Sequence, residues 1–241
     1  MTLDGTNTWV LLEPGSSDAV VIDPGPLHEG HLQAVLDVVR GRGARVVETI
    51  LTHAHHDHSE AAPRFAELTG TRVRAVGRGH DDLADGDFVA AGGLELRVVA
   101  TPGHTADSIS FALAADHALL TGDTVLGRGT TVVAHPDGEL TAYLASLERI
   151  AHLTGGGAVS AILPGHGPVV PDAGAMVSFY LTHRRERLEQ VRAALADGAA
   201  AEDDPVEGVL RRVYADVPEA VWPAARMSIR AQLEHLSARG A

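Results

Sequence analysis

The chain has 241 residues, a net charge of -13, 45% hydrophobic and 21% charged residues, and no cysteine. That composition is expected of a soluble globular protein of one large domain, or one domain plus a small lobe. It excludes disulfides and thiolate chemistry. All 19 basic residues are arginine, which excludes Schiff-base lysine catalysis and a P-loop, and the negative charge disfavours loose binding to nucleic acid.

The N-terminus "MTLDGTNTWV" has no basic region followed by an apolar stretch, and no apolar run reaches the roughly 20 residues of a membrane span. A cytoplasmic protein with no membrane partner is the expectation. In chain order, short β-rich runs stand at "DAVVID" (18–23), "RVVETIL" (45–51), "RVRAV" (72–76), "LELRVVA" (94–100), "DSISFAL" (107–113), "HALLTG" (117–122) and "AVSAIL" (158–163). Between them, Leu32, Val35, Leu36 and Val39 follow helical spacing, as do Leu144, Leu147, Ile150 and Ala151 after a start at Thr141. A helix is expected from about Ala173 to Ala196. The small, acidic stretch 196–205 reads as a linker. Beyond it, Val206, Val209, Leu210, Val213 and Tyr214 form one helical stripe. Pro223 opens another helix, with Ile229, Leu233 and Leu236. Strands mixed with helices in this way argue for an α/β layered domain with a helical tail.

Four strand runs end alike. "ETILTH" delivers His53, "VVATPGH" His104, "LLTGD" Asp123 and "AILPGH" His166. Each places a metal-capable side chain behind small turn residues, where neighbouring strand ends would converge. "LTHAHHDHSE" (51–60) adds His55, Asp57 and His58 in the pattern H-x-H-x-D-H. Imidazole and carboxylate suit zinc, and a pair of ions needs a dense ligand set. His53, His55 and His104 are expected at one ion, Asp57, His58 and His166 at the other, with Asp123 between. His56 fills a variable slot. His28, His31, His80, His117, His135, His152 and His235 show no partner pattern and read as ordinary surface or core histidines.

"THAHHDH", "TPGHT", "TGD" and "PGHG", in that order, resemble the metallo-β-lactamase-fold hydrolase superfamily. "TLDGTNTWVL", "IDPGP", "PGHGPVV" and "FYLTHRRERLEQV" are similar to its lactamase-beta-2-like branch, related to glyoxalase-II-like hydrolases. The resemblance implies a four-layer αββα sandwich over 1–195 and a small winged-helix-like lobe over 205–241. It further implies that the chain begins inside an early strand and stops where a wing hairpin would follow, leaving the lobe truncated. It implies two Zn2+, with Fe or Mn as other candidates. His55 stands where flavodiiron relatives carry glutamate, which favours zinc, and a single-iron persulfide dioxygenase uses a similar motif.

The chemistry expected is attack by a metal-bridging hydroxide, with Asp57 orienting it and carrying its proton. Asp57 and Asp123 are the candidate catalytic residues. Asp23 in "IDPGP" could hold a ligand from behind or simply stabilise a turn before proline. Tyr180, His183, Arg184 and Arg187 share one helical face, and could bind a phosphate or carboxylate or form a solvated face. Arg128 lies in a long loop, 126–139, expected to border the cleft.

Three functions fit these residues. The first is hydrolysis of a phosphodiester, single-stranded RNA being the branch's implied substrate. Against it, residues 201–241 hold seven acids and five arginines. The second is thioester hydrolysis of glyoxalase II type, although the glutathione-binding set of those enzymes includes lysine. The third is a non-catalytic, metal-stabilised binding module.

Overall fold

The structure is a computed structural model and describes residues 5–77, 79 and 81–238; His80 lies outside them. The elements, in order, are β1 (Trp9–Leu11), β2 (Asp18–Ile22), α1 (Glu29–Gly41), β3 (Arg45–Ile50), a short α2 (His56–Ser59), α3 (Ala62–Thr69), β4 (Val73–Ala75) and β5 (Asp81–Asp82). Then follow β6 (Phe88–Ala91), β7 (Leu94–Ala100), β8 (Ile109–Leu113), β9 (Ala118–Gly122), α4 (Leu140–Gly155), β10 (Ala161–Pro164), α5 (Ala173–Ala196), α6 (Pro205–Val213) and α7 (Trp222–Ala238).

One sheet runs β1-β2-β3-β4-β5 and the other β10-β9-β8-β7-β6. Strand alternation builds four layers from them. In β2, Ala19 and Val21 face outward to Leu32, Val35 and Leu36 of α1 and Phe65 of α3. Val20 and Ile22 face inward, where with Ile50 they meet Leu96, Val98, Phe111 and Leu120 of the second sheet. On the far side, Val99, Leu119 and Ile162 pack under Leu147 and Ile150 of α4 and Val177 and Val191 of α5. Fully burying one such side chain contributes about 1.5–3 kcal/mol, so the two-sided burial of β2 makes it a structural spine. The αββα arrangement expected from the motifs is the one observed.

The C-terminal helices join the outermost layer. Val209, Leu210 and Ile229 enter the same cluster as α4 and α5. Thr141 pairs with His235 at 2.9 Å, and His135 with Glu234 at 2.7 Å, so two histidines with no pattern in the sequence tie the lobe down. Within residues 196–205, one small residue packs against the lobe. Ala199 is fully buried, and a Cβ on Gly208 of α6 would lie 3.1 Å from its Cα. Strands β1, β5 and β6, of three, two and four residues, lie outside the β-rich runs of the sequence.

Candidate metal centre

Strands β2 and β3 run parallel, and β7, β9 and β10 share one direction because β7 and β9 each pair antiparallel to β8 while β10 pairs parallel to β9. Five carboxyl ends therefore open on one edge of the sandwich. They deliver Asp23, His53, His104, Asp123 and His166 within a few residues of each strand end. The turn after β3 adds His55, then α2 with Asp57 and His58. Two glycines allow this crowding. A Cβ at Gly165 would lie 2.5 Å from Asp123 Oδ1 and 2.8 Å from His58 Cε1. Gly103, at φ +128°, leaves no room either, since a Cβ there would sit 2.2 Å from Tyr143 N.

The side chains fall into two groups. Ligand atoms of His53, His55, His104 and Asp123 lie within 4.8 Å of one another, and those of Asp57, His58 and His166 do the same. Asp123 stands between them. Its Oδ2 is 3.6 Å from His104 Nε2 and 3.3 Å from His166 Nε2, and its Oδ1 is 3.3 Å from His58 Nε2. Pairs of ring nitrogens face each other, His104 Nε2 with His55 Nδ1 at 3.0 Å and His58 Nε2 with His166 Nε2 at 3.3 Å.

These residues fit a pair of cations. Four of the five imidazoles engage Nδ1 from outside: His53 with Thr52 Oγ1 (3.0 Å), His58 with Asp23 Oδ2 (2.8 Å), His104 with Val132 O (2.8 Å) and His166 with Gly5 O (2.7 Å). Each thereby directs Nε2 inward, the arrangement metal-ligating histidines use. His53 Nε2 and Asp123 Oδ1 are buried without a hydrogen bond, as inward-facing ligand atoms would be.

Protons compete for the same atoms. Burial, reinforced by neighbouring His58, holds His53 well below the usual imidazole value, and burial likewise lowers His104. His58 and His166 go the other way. Burial opposes their charge, but Asp23 and Asp123 outweigh it at His58, and Asp123 and Asp57 at His166, each ring being raised to about 10. Asp123 is held well below the carboxylate range; burial opposes this, and the adjoining His166 and His58 rings overcome it.

Asp23 holds His58 from behind as well as forming a turn. It is 1% exposed at φ +51°, and its carboxylate accepts from Thr52 N (2.8 Å), Thr52 Oγ1 (2.7 Å) and His58 Nδ1.

The α5 residues read as substrate contacts are placed differently from one another. Tyr180 is fully buried; its hydroxyl accepts from Leu126 N (2.9 Å) and donates to Gly129 O (3.1 Å). Arg184 is 5% exposed, donates to Thr131 O and lies over the Tyr143 ring at 5.0 Å. Both are turned toward the loop that follows Asp123, not toward open solvent. Arg187 donates to Val213 O (3.2 Å) and stacks on Tyr214 at 4.6 Å, facing the lobe. His183 stacks on Phe179, and burial lowers its pKa. His183, Arg187, Val132, Val221 and Ser228 border a cavity of about 350 Å³ beside the loop. Arg128 is exposed on that loop next to Gly167. His56 is exposed and joins neither group.

A family model for the metallo-beta-lactamase superfamily matches residues 1–85 and 75–166, and one for the beta-lactamase associated winged helix domain matches 206–241. The chain belongs to the metallo-beta-lactamase superfamily: it is a hydrolase of that fold with candidate metal-binding residues, followed by a winged-helix domain. Within the superfamily it is 32% identical to the Beta-lactamase-like protein 2 homolog of Caenorhabditis elegans, over 99% of this chain and 81% of the relative. It is also 32% identical to the atrochrysone carboxyl ACP thioesterase of Aspergillus fumigatus, over 91% of this chain and 72% of that protein. A beta-lactamase domain protein from Burkholderia ambifaria has the same fold, with a TM-score of 0.82 at 22% identity over 100% of this chain and 84% of that one. No helix among the described residues is long and apolar enough to cross a membrane.

Proposed function

We propose that the protein is a binuclear zinc-dependent hydrolase that cleaves an acyl thioester, with residues 1–195 as the catalytic domain and 205–241 as a packing lobe. The observation that carries the reading is the double ligand group with Asp123 between its halves. Two zinc ions held there would supply a water acidified to near neutral pH and a polarised carbonyl oxygen. His53, His55, His104 and Asp123 would hold one ion, and Asp57, His58, His166 and Asp123 the other. Asp57 is the more exposed of the two aspartates and lies 3.3 Å from His166 Nε2. In this reading it would accept the proton of the attacking water at Oδ2 and return it to the departing thiolate.

Two points favour a thioester over a phosphodiester. The 32% identical thioesterase supports it. The arginine face that could have met phosphates is largely committed, Arg184 to Thr131 and Arg187 to Val213 and Tyr214.

The test is zinc-reconstituted protein assayed on acyl thioesters, bis-p-nitrophenyl phosphate and single-stranded RNA. Thioester turnover that falls at least about 100-fold in Asp123→Asn is expected, because the shared carboxylate is lost. Turnover of RNA or the phosphodiester alone would overturn the thioester assignment. Full zinc occupancy with no turnover would point to a binding module.

A further inference from the structure

Residues 5–9 offer no ligand atom to either group, yet they are hydrogen-bonded to the centre at several points. The carbonyl of Gly5 accepts from His166 Nδ1 at 2.7 Å. Thr6 pairs with His166 across an isolated β-bridge, and its hydroxyl donates to Asp57 Oδ2 at 3.4 Å. Asn7 donates its backbone N–H to Gly165 O (2.7 Å) and its side-chain amide to Pro164 O (3.0 Å) and Gly167 O (2.8 Å). Those bonds fix the turn from which His166 projects. Thr8 Oγ1 donates to the carbonyl of Asp23 at 2.7 Å and accepts from His31 Nε2 at 2.8 Å. Asp23 occupies the left-handed region, at a cost of about 1–2 kcal/mol for an L-residue, so the bond to its carbonyl holds a conformation the backbone would not choose.

The pattern is one-sided. The segment reaches Asp57 and His166 directly and His58 one step on, through Asp23, which is the whole second group; His53 of the first group lies a step further, through Asp23 and Thr52. Among the described residues, no hydrogen bond joins 5–9 to His53, His55 or His104. Their supports are Thr52 for His53 and the Val132 carbonyl for His104.

We propose that Thr6, Asn7 and Thr8 are positioning residues that set the affinity of the second cation site separately from the first. The inference rests on the two-cation reading and is independent of the substrate. Outer hydrogen-bond partners of metal ligands contribute about 10–100-fold in affinity when lost. Here the partners of two candidate ligands, Asp57 and His166, and of Asp23 behind a third sit on one segment, so the effect concentrates on one ion.

The experiment titrates the metal-free full chain with Zn2+ against a chromophoric chelator. His104→Ala and His166→Ala assign the two binding steps to the two groups. Thr6→Val, Asn7→Ala and Thr8→Val are each expected to weaken the step lost in His166→Ala about 10–100-fold and leave the other unchanged. Thr8→Ser, which keeps the hydroxyl, is expected to bind as the parent does, and thermal unfolding of each metal-free variant checks that it folds. Equal weakening of both steps, no weakening of either, or failure of Thr8→Ser to differ from Thr8→Val would overturn the proposal. A parent chain taking up fewer than two Zn2+ would overturn the two-cation reading and the clamp with it.

Discussion

Asp23→Asn separates the support of a ligand from the ligand itself. Asparagine keeps the size of aspartate and tolerates the left-handed backbone at φ +51°. Its remaining oxygen can still accept from Thr52 N. Its amide nitrogen replaces Oδ2 and points donors at Thr52 Oγ1 and His58 Nδ1, both of which now donate to a carboxylate oxygen. Hydrogen bonds to a charged group are worth about 1.5–3 kcal/mol each, and Thr52 can recover part of its own by rotating its hydroxyl. The metal-free chain should therefore lose about 2–3 kcal/mol. A second effect is on the ring protons. With an amide donor in place of the carboxylate, His58 loses much of what holds its charge; Nδ1 gives up its proton to become an acceptor, and the remaining ring proton stays on Nε2. That atom lies 3.3 Å from both Asp123 Oδ1 and His166 Nε2, where a cation needs a lone pair. Affinity at the second site is expected to fall about 10–100-fold, or about 1.4–2.7 kcal/mol. Zinc titration reads the affinity, and nitrogen-resolved NMR of the histidine rings in the zinc-free and zinc-bound forms reads the tautomer. Unchanged second-site affinity, with the His58 proton still on Nδ1, would refute the reasoning.

Other expectations follow from the same geometry. Gly165→Ala drives a methyl group to 2.5 Å from Asp123 Oδ1, so the carboxylate must move. Turnover should fall about 10-fold or more while circular dichroism stays that of the parent. Tyr180→Phe leaves Leu126 N–H buried without its 2.9 Å acceptor. A loss of about 1–3 kcal/mol is expected, seen as a fall of several degrees in Tm, and KM for the substrate should stay constant if the hydroxyl serves the loop rather than the substrate. In metal-free protein, the raised His58 and His166 stabilise the fold fully below about pH 6.5, and that contribution is lost as pH rises toward about 10. The lowered His53 and His104 act oppositely, their share being lost as pH falls below about 6.5. The metal-free Tm should thus peak near pH 6.5, and a profile rising steadily to pH 10 would contradict the assignments. Zinc must displace the protons on the coupled His58–His166 pair, so uptake at pH 7.5 should release about one to two protons, measured by calorimetry in buffers of different ionisation enthalpy.

The candidate ligands are legible in the sequence because each motif is local: a β run, a small-residue turn, and a histidine or aspartate a few positions on. Such a unit carries its own geometry, and parallel strand ends do the rest. The face of α5 stays ambiguous in the sequence for a reason equally local. Helical spacing tells which residues share a side and not which way that side turns. Tyr180 and Arg184 continue a stripe with Val177, Leu188 and Val191, all buried. Reading that stripe as a whole would have turned both polar residues inward, toward the loop after Asp123.

The supports of the ligands belong to a different order of information. Asn7 meets Gly167 across 160 residues, Gly5 meets His166 across 161, and Asp23 meets His58 across 35. No periodicity spans such separations, so a glycine and an asparagine near the chain start carry no local mark of their work. The two kinds of residue should also fail differently. Deleting a ligand such as Asp123 removes a coordination point, and the loss should be large whatever the metal concentration. Deleting a support such as Thr8 leaves the coordination point in place but loosely held, and excess zinc should restore it by mass action. A loss at Thr8→Val that saturating zinc cannot reverse would place Thr8 among the groups that act on the reaction itself.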